Sequence, residues 1–258
     1  MNAVKTIFKR ALPLLLCAAA ASFGANLANP AAQAGTARMY FGASYFVGGS
    51  DITNLEIPMI MNRLNMRVGY APVSYVNFGA DLGLPLISVE EYNRTPVFDG
   101  DFGWSAGGHL KLSTPYILGR VAVLALGNIN VFRSTNKGGA YYGGTDLAAA
   151  GGLQFKLPAR HCLSLGPQFY MIMGKNKGFE EKTEGTYSNV NNMRAWLAYE
   201  YLPADVFGGE YKPYMSLELT ASPKICASKR VPVKEFSVSV SVGIITKRLY
   251  GEGKADDD

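Results

Sequence analysis

Histidine and cysteine are scarce in this chain of 258 residues, which contains two histidines and three cysteines. They are scattered at His109, His161, Cys17, Cys162 and Cys226 and form no set with the spacing of transition-metal ligands. The sequence also has no tract rich in lysine and arginine, which excludes the basic footprint of a nucleic-acid-binding protein. We therefore expect no metal site, no cofactor and no nucleic-acid partner.

Long hydrophobic runs are missing beyond residue 34, which excludes a helical membrane protein. The one apolar run, residues 11–21, follows three basic residues and precedes the small residues Ala32 and Ala34. This order is typical of a secretion signal, and the run contains Pro13 and is too short to span a bilayer as a helix. We predict that residues 1–34 are a signal peptide removed before Gly35, rather than a retained anchor.

Short segments in which apolar and polar residues alternate recur along the rest of the chain. In the clearest copy, residues 102–114, aromatic, aliphatic and small residues alternate with serine, glycine, His109 and Lys111. A period of two predicts β-strands that have one apolar and one polar face. The candidate strands are residues 37–48, 57–71, 73–87, 102–114, 116–133, 145–158, 161–174, 191–202, 211–222 and 234–248.

The connections between these strands differ in length. Those after the even-numbered strands are mostly short and built on proline, at residues 71–73, 114–116 and 158–160, with a longer one at 203–213. Those after the odd-numbered strands are long and polar, at residues 49–56, 90–101, 134–145, 175–191 and 222–234. This alternation places all the long loops at one end of an up-and-down meander, which favours a membrane barrel. A soluble barrel or sandwich is the alternative, because it shares the strand period.

The combination of signal peptide, alternating strands, short turns and long loops resembles the small Gram-negative outer-membrane barrels related to the transmembrane domain of OmpA, within the wider porin-like class. The resemblance implies an all-β fold: a transmembrane antiparallel up-and-down β-barrel of ten strands, with eight as the alternative. It also implies short periplasmic turns, long extracellular loops, outer-membrane localisation, contact with lipid and lipopolysaccharide, and insertion by the barrel-assembly machinery. The barrel then covers residues 35–250. Tyr250 matches the aromatic residue with which the last strand of the family often ends, whereas the acidic tail, residues 251–258, departs from the pattern.

In each predicted strand, the residues of the apolar face form the apolar phase and the alternate residues form the polar phase. If the apolar phase faces lipid, the charged residues of the polar phase face the lumen. An ion in a narrow barrel is costly unless it is paired or hydrated, so we predict that Asp81, Glu200 and Glu218 pair with basic residues. The predicted lumen charge network consists of Arg63, Arg67, Asp81, His109, Lys111, Arg120, Arg194, Glu200 and Glu218. The polar phase as a whole has eight basic and four acidic residues, so a hydrated path through it would favour anions.

Catalysis and disulfide formation are not expected. His109 lies toward the short-turn half of its strand and His161 lies at a short turn, whereas related barrel enzymes carry a histidine near the outer rim. Cys162 and Cys226 fall at opposite ends of the predicted barrel, too far apart for a disulfide, so we predict two free thiols. The sequence thus indicates a structural or narrow-pore role with a charged lumen, whose solutes would be small ions. The alternative is surface adhesion or binding of an extracellular ligand through the long loops.

Overall fold

In the computed structural model, the described residues are 37–52, 57–90, 96–178, 189–203, 211–222, 236–247 and 249. They form a single sheet of eleven strands in which all neighbours are antiparallel. The strands are β1 (Arg38–Ile52), β2 (Ile57–Val73), β3 (Val76–Glu90), β4 (Pro96–Asp99), β5 (Trp104–Ser113), β6 (Val121–Thr135), β7 (Tyr141–Leu157), β8 (His161–Lys177), β9 (Asn189–Tyr201), β10 (Tyr211–Ala221) and β11 (Phe236–Thr246). The predicted signal peptide, Tyr250 and the acidic tail lie outside the described residues.

Pairing of the first strand with the last closes the sheet into a barrel. β1 pairs with β2 on one side and with β11 on the other, and β3 pairs with β5 past β4. Each of the other pairs of consecutive strands from β2 to β3 and from β5 to β11 is also hydrogen-bonded. Ten strands therefore form the barrel wall, and β4 is an additional short strand. The predicted up-and-down barrel of ten strands is confirmed, and the eight-strand alternative is wrong because both the first and the ninth predicted strands are paired.

The additional strand β4 lies in the predicted second long loop. β3 pairs with β5 only as far as Gly83, and its remaining residues pair with β4 through Ser88 and Val89. Between β4 and β5, the N–H groups of Gly100 and Gly103 donate to carbonyls of β3 at 2.9 and 2.7 Å, so the chain stays along the same edge. The alternation is interrupted here by proline and glycine, which is why the sequence pattern does not predict this strand.

Two of the predicted long loops are partly strand. Pairing between β1 and β2 continues to Ile52 opposite Ile57, and pairing between β6 and β7 continues to Thr135 opposite Tyr141. The connection between β6 and β7 is therefore residues 136–140, and residues 53–56 lie outside the described residues. The longer connections at this end are the other three, between β3 and β5, β8 and β9, and β10 and β11.

Two of the turns at the opposite end depend on left-handed backbone conformations. Leu118 and Gly119 have φ values of 52° and 67°, and Ala159 and Arg160 have values of 57° and 65°. Two successive residues with positive φ make a turn whose twist matches that of the flanking strands. The turn between β2 and β3 is at Ser74 and Tyr75, two residues later than predicted, because β2 continues to Val73 through an irregular register after Tyr70.

The two faces of the barrel wall have opposite chemistry. Along β6, for example, side chains alternate between buried and exposed, with Asn128 and Asn130 inside and Ile129 and Val131 outside. The large exposed apolar side chains of the wall include Phe41, Tyr45, Ile60, Leu64, Met66, Val68, Phe78, Leu82, Leu84, Trp104, Leu110, Leu112, Val123, Leu153, Leu165, Met173, Met193, Leu197, Met215, Leu217, Val242 and Ile244. An apolar exterior around a polar interior is the reverse of a soluble barrel and matches a wall surrounded by lipid. Within the described part of the chain, no helix has the length and apolar character needed to cross a bilayer.

Candidate functional site

The barrel interior combines buried apolar side chains with a zone of charged side chains. Toward the long-loop end, the inward side chains of β2, β3, β4, β6, β7 and β8 are apolar or aromatic: Met59, Met61, Ile87, Val89, Phe98, Phe132, Tyr142 and Ile172. Toward the short-turn end, a second cluster contains Tyr40, Ala71, Leu202, Tyr214 and Ile245. Both clusters are buried, and members of the first one, such as Leu126 and Ala148, lie at the level of the charged side chains.

A continuous network of hydrogen bonds and ion pairs connects six strands in the charged zone. Asp81 on β3 is at its centre and accepts hydrogen bonds from three neighbours. The Nε of Arg67 lies 2.6 Å from Asp81 Oδ1, and His109 Nδ1 and Asn128 Nδ2 lie 3.1 and 2.9 Å from Oδ2. On the far side of His109, Nε2 is hydrogen-bonded to the hydroxyl of Tyr40.

The network continues from Asn128 to the opposite wall. Asn130 Nδ2 donates to Asn128 Oδ1 at 2.6 Å and to Asp146 Oδ1 at 2.8 Å. Asp146 on β7 forms an ion pair with Arg63 on β2. The guanidinium carbon of Arg63 also lies 5.9 Å from the ring centroids of both Phe46 and Phe132. The guanidinium thus reaches across the interior to a carboxylate and packs against two aromatic rings.

A second network lies nearer the short-turn end. The Nζ of Lys111 on β5 is 3.5 Å from Oε1 of Glu200 on β9, and Gln154 Nε2 donates to Glu200 Oε2 at 3.0 Å. Gln154 Nε2 is also 3.1 Å from Ser164 Oγ, and its Oε1 accepts from the hydroxyl of Tyr116 at 3.1 Å. This network also links opposite walls, because β5 and β9 are separated by three strands.

Arg194 and Glu218 are also buried in the interior. Arg194 on β9 is 2% exposed, and its guanidinium lies 4.4 Å from the ring centroid of Tyr170 on β8. Glu218 on β10 lies opposite Ser239 of β11 in the register. Of the three predicted pairings, Asp81 pairs with Arg67 and Glu200 with Lys111, whereas the pairing of Glu218 stays a prediction.

Arg120 is not in the lumen, contrary to the sequence prediction. The tight turn at Leu118 and Gly119 closes at Ile117 and Val121, so Arg120 belongs to the turn and is exposed. Three other basic residues of the polar phase, Arg38, Lys156 and Lys247, also lie at this end rather than among the buried side chains.

The buried charges of the described interior are balanced. They are Arg63, Arg67, Lys111 and Arg194 against Asp81, Asp146, Glu200 and Glu218. The predicted excess of basic residues in the lumen is therefore wrong for the described residues, because the additional basic residues are at the rim. The argument for anion preference loses its basis.

The sequence placed Asp146 on the polar phase but not in the predicted network, and it missed Asn128, Asn130 and Gln154. These three share the inward phase with the predicted residues, so the period of two could have placed them on the same face. The period of two could not predict that Arg63 pairs with Asp146, because this pairing depends on which strands face each other across the closed barrel.

Glycines on the inner wall make room for two tyrosines. A Cβ on Gly69 would lie 2.0 Å from the Tyr40 ring, and one on Gly42 would lie 2.0 Å from the Tyr214 hydroxyl. The two tyrosine rings meet edge to face, with centroids 6.4 Å apart. Absence of a side chain at these positions allows the rings to lie against the wall and contribute to the apolar cluster at the short-turn end.

Of the other chemically active residues, Cys162 is buried at the short-turn end, where its Sγ lies 3.4 Å from the Tyr116 hydroxyl. Cys226 lies outside the described residues, so the two free thiols stay a prediction. His161 stacks on Tyr201 with ring centroids 4.5 Å apart. Among the residues that the structure describes, no three His, Cys, Asp or Glu side chains are grouped so as to hold a metal ion.

A closed antiparallel barrel with an apolar exterior and a charged interior defines a transmembrane β-barrel of the outer-membrane class. No protein-family model and no curated protein sequence matches the chain. The relation to the OmpA transmembrane domain therefore stays a prediction.

Solved outer-membrane barrels have a similar fold at low sequence identity. The translocator domain of the autotransporter NalP from Neisseria meningitidis is 9% identical, with a TM-score of 0.47 over 95% of this chain and 96% of that one. The β domain of the Bordetella autotransporter BrkA is 14% identical, with a TM-score of 0.42 over 80% and 98% of the two chains. An outer-membrane channel from Pseudomonas putida F1 is 10% identical, with a TM-score of 0.44 over 87% and 98%. These scores are low, and the assignment above depends on the barrel itself.

Proposed function

We propose that this protein is a closed outer-membrane barrel with a structural role, in which the side chains of the interior form a protein core. The observation that supports this most directly is the burial of the inward side chains. Arg63, Arg67, Lys111 and Glu200 are each less than a tenth exposed. A water-filled channel would leave the charged groups that line it accessible to water. A closed interior therefore favours the structural role over the narrow-pore role that the sequence also indicated.

The chemistry of the interior supports the same conclusion. The ion pairs Arg63–Asp146 and Lys111–Glu200 each join opposite walls, so their side chains occupy the middle of the barrel. Their charges are balanced, and the buried apolar side chains that share the interior favour pairing over hydration. An interior of this kind stabilises the barrel and supports no flow of solute.

Recordings from the purified protein in planar lipid bilayers test this proposal. We expect no unitary conductance steps above the background of the bare bilayer. A variant in which the four crossing side chains are shortened, Arg63→Ser, Lys111→Ser, Asp146→Ser and Glu200→Ser, keeps the charge balance and opens space. We expect it to conduct, provided that its heat-modifiable gel migration shows a folded barrel. Conductance steps from the unaltered protein would overturn the proposal, whatever the variant does.

A surface-binding role through the long loops is the second possibility from the sequence. Three of the segments that it concerns, residues 91–95, 179–188 and 223–235, lie outside the described residues. A closed interior is compatible with surface binding, because a surface-binding barrel contacts its ligand through its loops and not through its lumen.

A further inference from the structure

Three basic residues lie on the outer face of the wall near its long-loop end. They are Arg133 on β6 and Lys175 and Lys177 on β8, and all three are exposed. We call them the outer basic patch. The patch begins where the apolar surface ends, because the outward residues that precede it on the two strands are the exposed Val131 and Met173. None of the three basic residues belongs to an ion pair between described residues.

The strand register aligns the basic residues of β6 and β8 on either side of β7. Gly143 of β7 lies opposite Arg133 on one side and opposite Lys175 on the other. The Cα atoms of Arg133 and Lys175 are therefore two strand spacings apart, about 10 Å. Gly143 has no side chain to separate them, and a Cβ at this position would lie only 2.8 Å from the carbonyl oxygen of Phe132. The outer face thus has a gap with a cation on each side.

Aromatic side chains beside the outer basic patch indicate its depth in the membrane. Trp104 of β5 is exposed and is the register partner of Arg133. Tyr141 of β7 is the register partner of Lys177, and its ring centroid lies 4.4 Å from the guanidinium carbon of Arg133. Tryptophan and tyrosine at the edge of an apolar band are typical of the interface between membrane and water. Cations at this depth lie at the level of the lipid headgroups.

We propose that the outer basic patch binds a phosphorylated lipid, and that this lipid is the glycolipid anchor of lipopolysaccharide, lipid A. A phosphate group above Gly143 can accept charge-assisted hydrogen bonds from both Arg133 and Lys175. The acyl chains of the same molecule then lie along the apolar surface that begins at Val131 and Met173. Lipid A carries more than one phosphate, which suits a patch of three cations better than a phospholipid with a single phosphate. The predicted orientation of the barrel places the patch in the leaflet that contains lipopolysaccharide.

Native mass spectrometry of the full chain, released from detergent micelles that contain lipid A, tests the site. The variant Arg133→Gln with Lys175→Gln removes the two cations beside Gly143. Its matched control is Arg120→Gln with Lys156→Gln, which removes two exposed neighbouring charges at the short-turn end. We expect the patch variant to bind lipid A about tenfold more weakly or worse, and the control to stay within about twofold of the unaltered protein.

Two further lipids, measured with the unaltered protein, distinguish the phosphates from the acyl chains and lipid A from a phospholipid. Lipid A without its phosphates keeps the acyl chains and is expected to bind about tenfold more weakly. Phosphatidylglycerol, which has one phosphate, is also expected to bind more weakly than lipid A. Equal affinity of the patch variant and the unaltered protein for lipid A would overturn the proposal. Equal binding of lipid A with and without phosphates, or tighter binding of phosphatidylglycerol, would overturn it as well.

Discussion

Arg63 on β2 and Asp146 on β7 form an ion pair through the interior of the barrel, although β3, β5 and β6 separate their strands in the wall. Both side chains are almost completely buried. Two charges in such a place depend on each other, because removal of either one leaves the other without its counter-charge in a medium of low polarity. The loss of stability on removing one of these two charges therefore indicates whether water reaches the interior.

The substitution Asp146→Asn is expected to lower the free energy of unfolding by about 3 to 5 kcal/mol, because it leaves the Arg63 guanidinium buried without a carboxylate. Urea unfolding of the protein in micelles measures this. The control Asp99→Asn, at an exposed position of β4, is expected to change the stability by less than about 0.5 kcal/mol. Adding Arg63→Met to Asp146→Asn is expected to recover most of the loss. If Asp146→Asn left stability unchanged, the pair would have to be hydrated.

The substitution Gly69→Ala is expected to destabilise the barrel by about 1 to 3 kcal/mol, since the new Cβ would overlap the ring of Tyr40. Gly127→Ala is the matched control, because the nearest atom to its Cβ would be 4.0 Å away. In a double-mutant cycle with Tyr40→Ala, most of the effect of Gly69→Ala should disappear, because the ring that it displaces is absent. Equal effects of Gly69→Ala in both backgrounds would contradict the packing described here.

The substitution Ala159→Asn is expected to stabilise the barrel by about 0.5 to 1 kcal/mol. Ala159 has a φ of 57° in the turn between β7 and β8, and asparagine adopts this left-handed conformation more readily than alanine. Ala159→Val is expected to have the opposite effect, because a β-branched side chain is strained there. Midpoints of heat-modifiable gel migration compare the three proteins, and the order Asn, Ala, Val from most to least stable is the expected result.

The substitution Leu82→Arg distinguishes a lipid-facing wall from one that faces water. Leu82 is 63% exposed on the outer face of β3, and an arginine in the middle of a bilayer costs about 2 to 4 kcal/mol. We expect a loss of this size when unfolding is measured in lipid vesicles. Leu118→Arg, in a turn where the residue is 93% exposed, is expected to be neutral. Two equally harmless substitutions would indicate that water surrounds the wall.

The strands and their direction could be predicted from local pattern, and the fine structure of their ends could not. The alternation of 102–114 has a period of two, and such a period is a property of the extended backbone itself. β4 was not predicted, because Pro96 and Gly100 interrupt the alternation while backbone hydrogen bonds keep the chain beside β3. Arg120 was misplaced because the predicted strand began too early: the left-handed turn at Leu118 and Gly119 delays the start of β6.

The sequence by itself determined which side chains share a face, since that depends only on counting along an extended chain. It therefore placed Arg63 and Arg67 on the polar face of the wall, which the closed barrel turns inward. The tertiary structure decided what each of them meets. Asp81 is the register partner of Arg67 on the neighbouring strand, whereas Asp146 reaches Arg63 only because the sheet closes on itself and brings distant strands face to face. The tertiary structure also decided which charged residues of the polar phase are buried and which lie at the rim of the short-turn end. The linear pattern does not contain this difference, because it does not show where each strand ends.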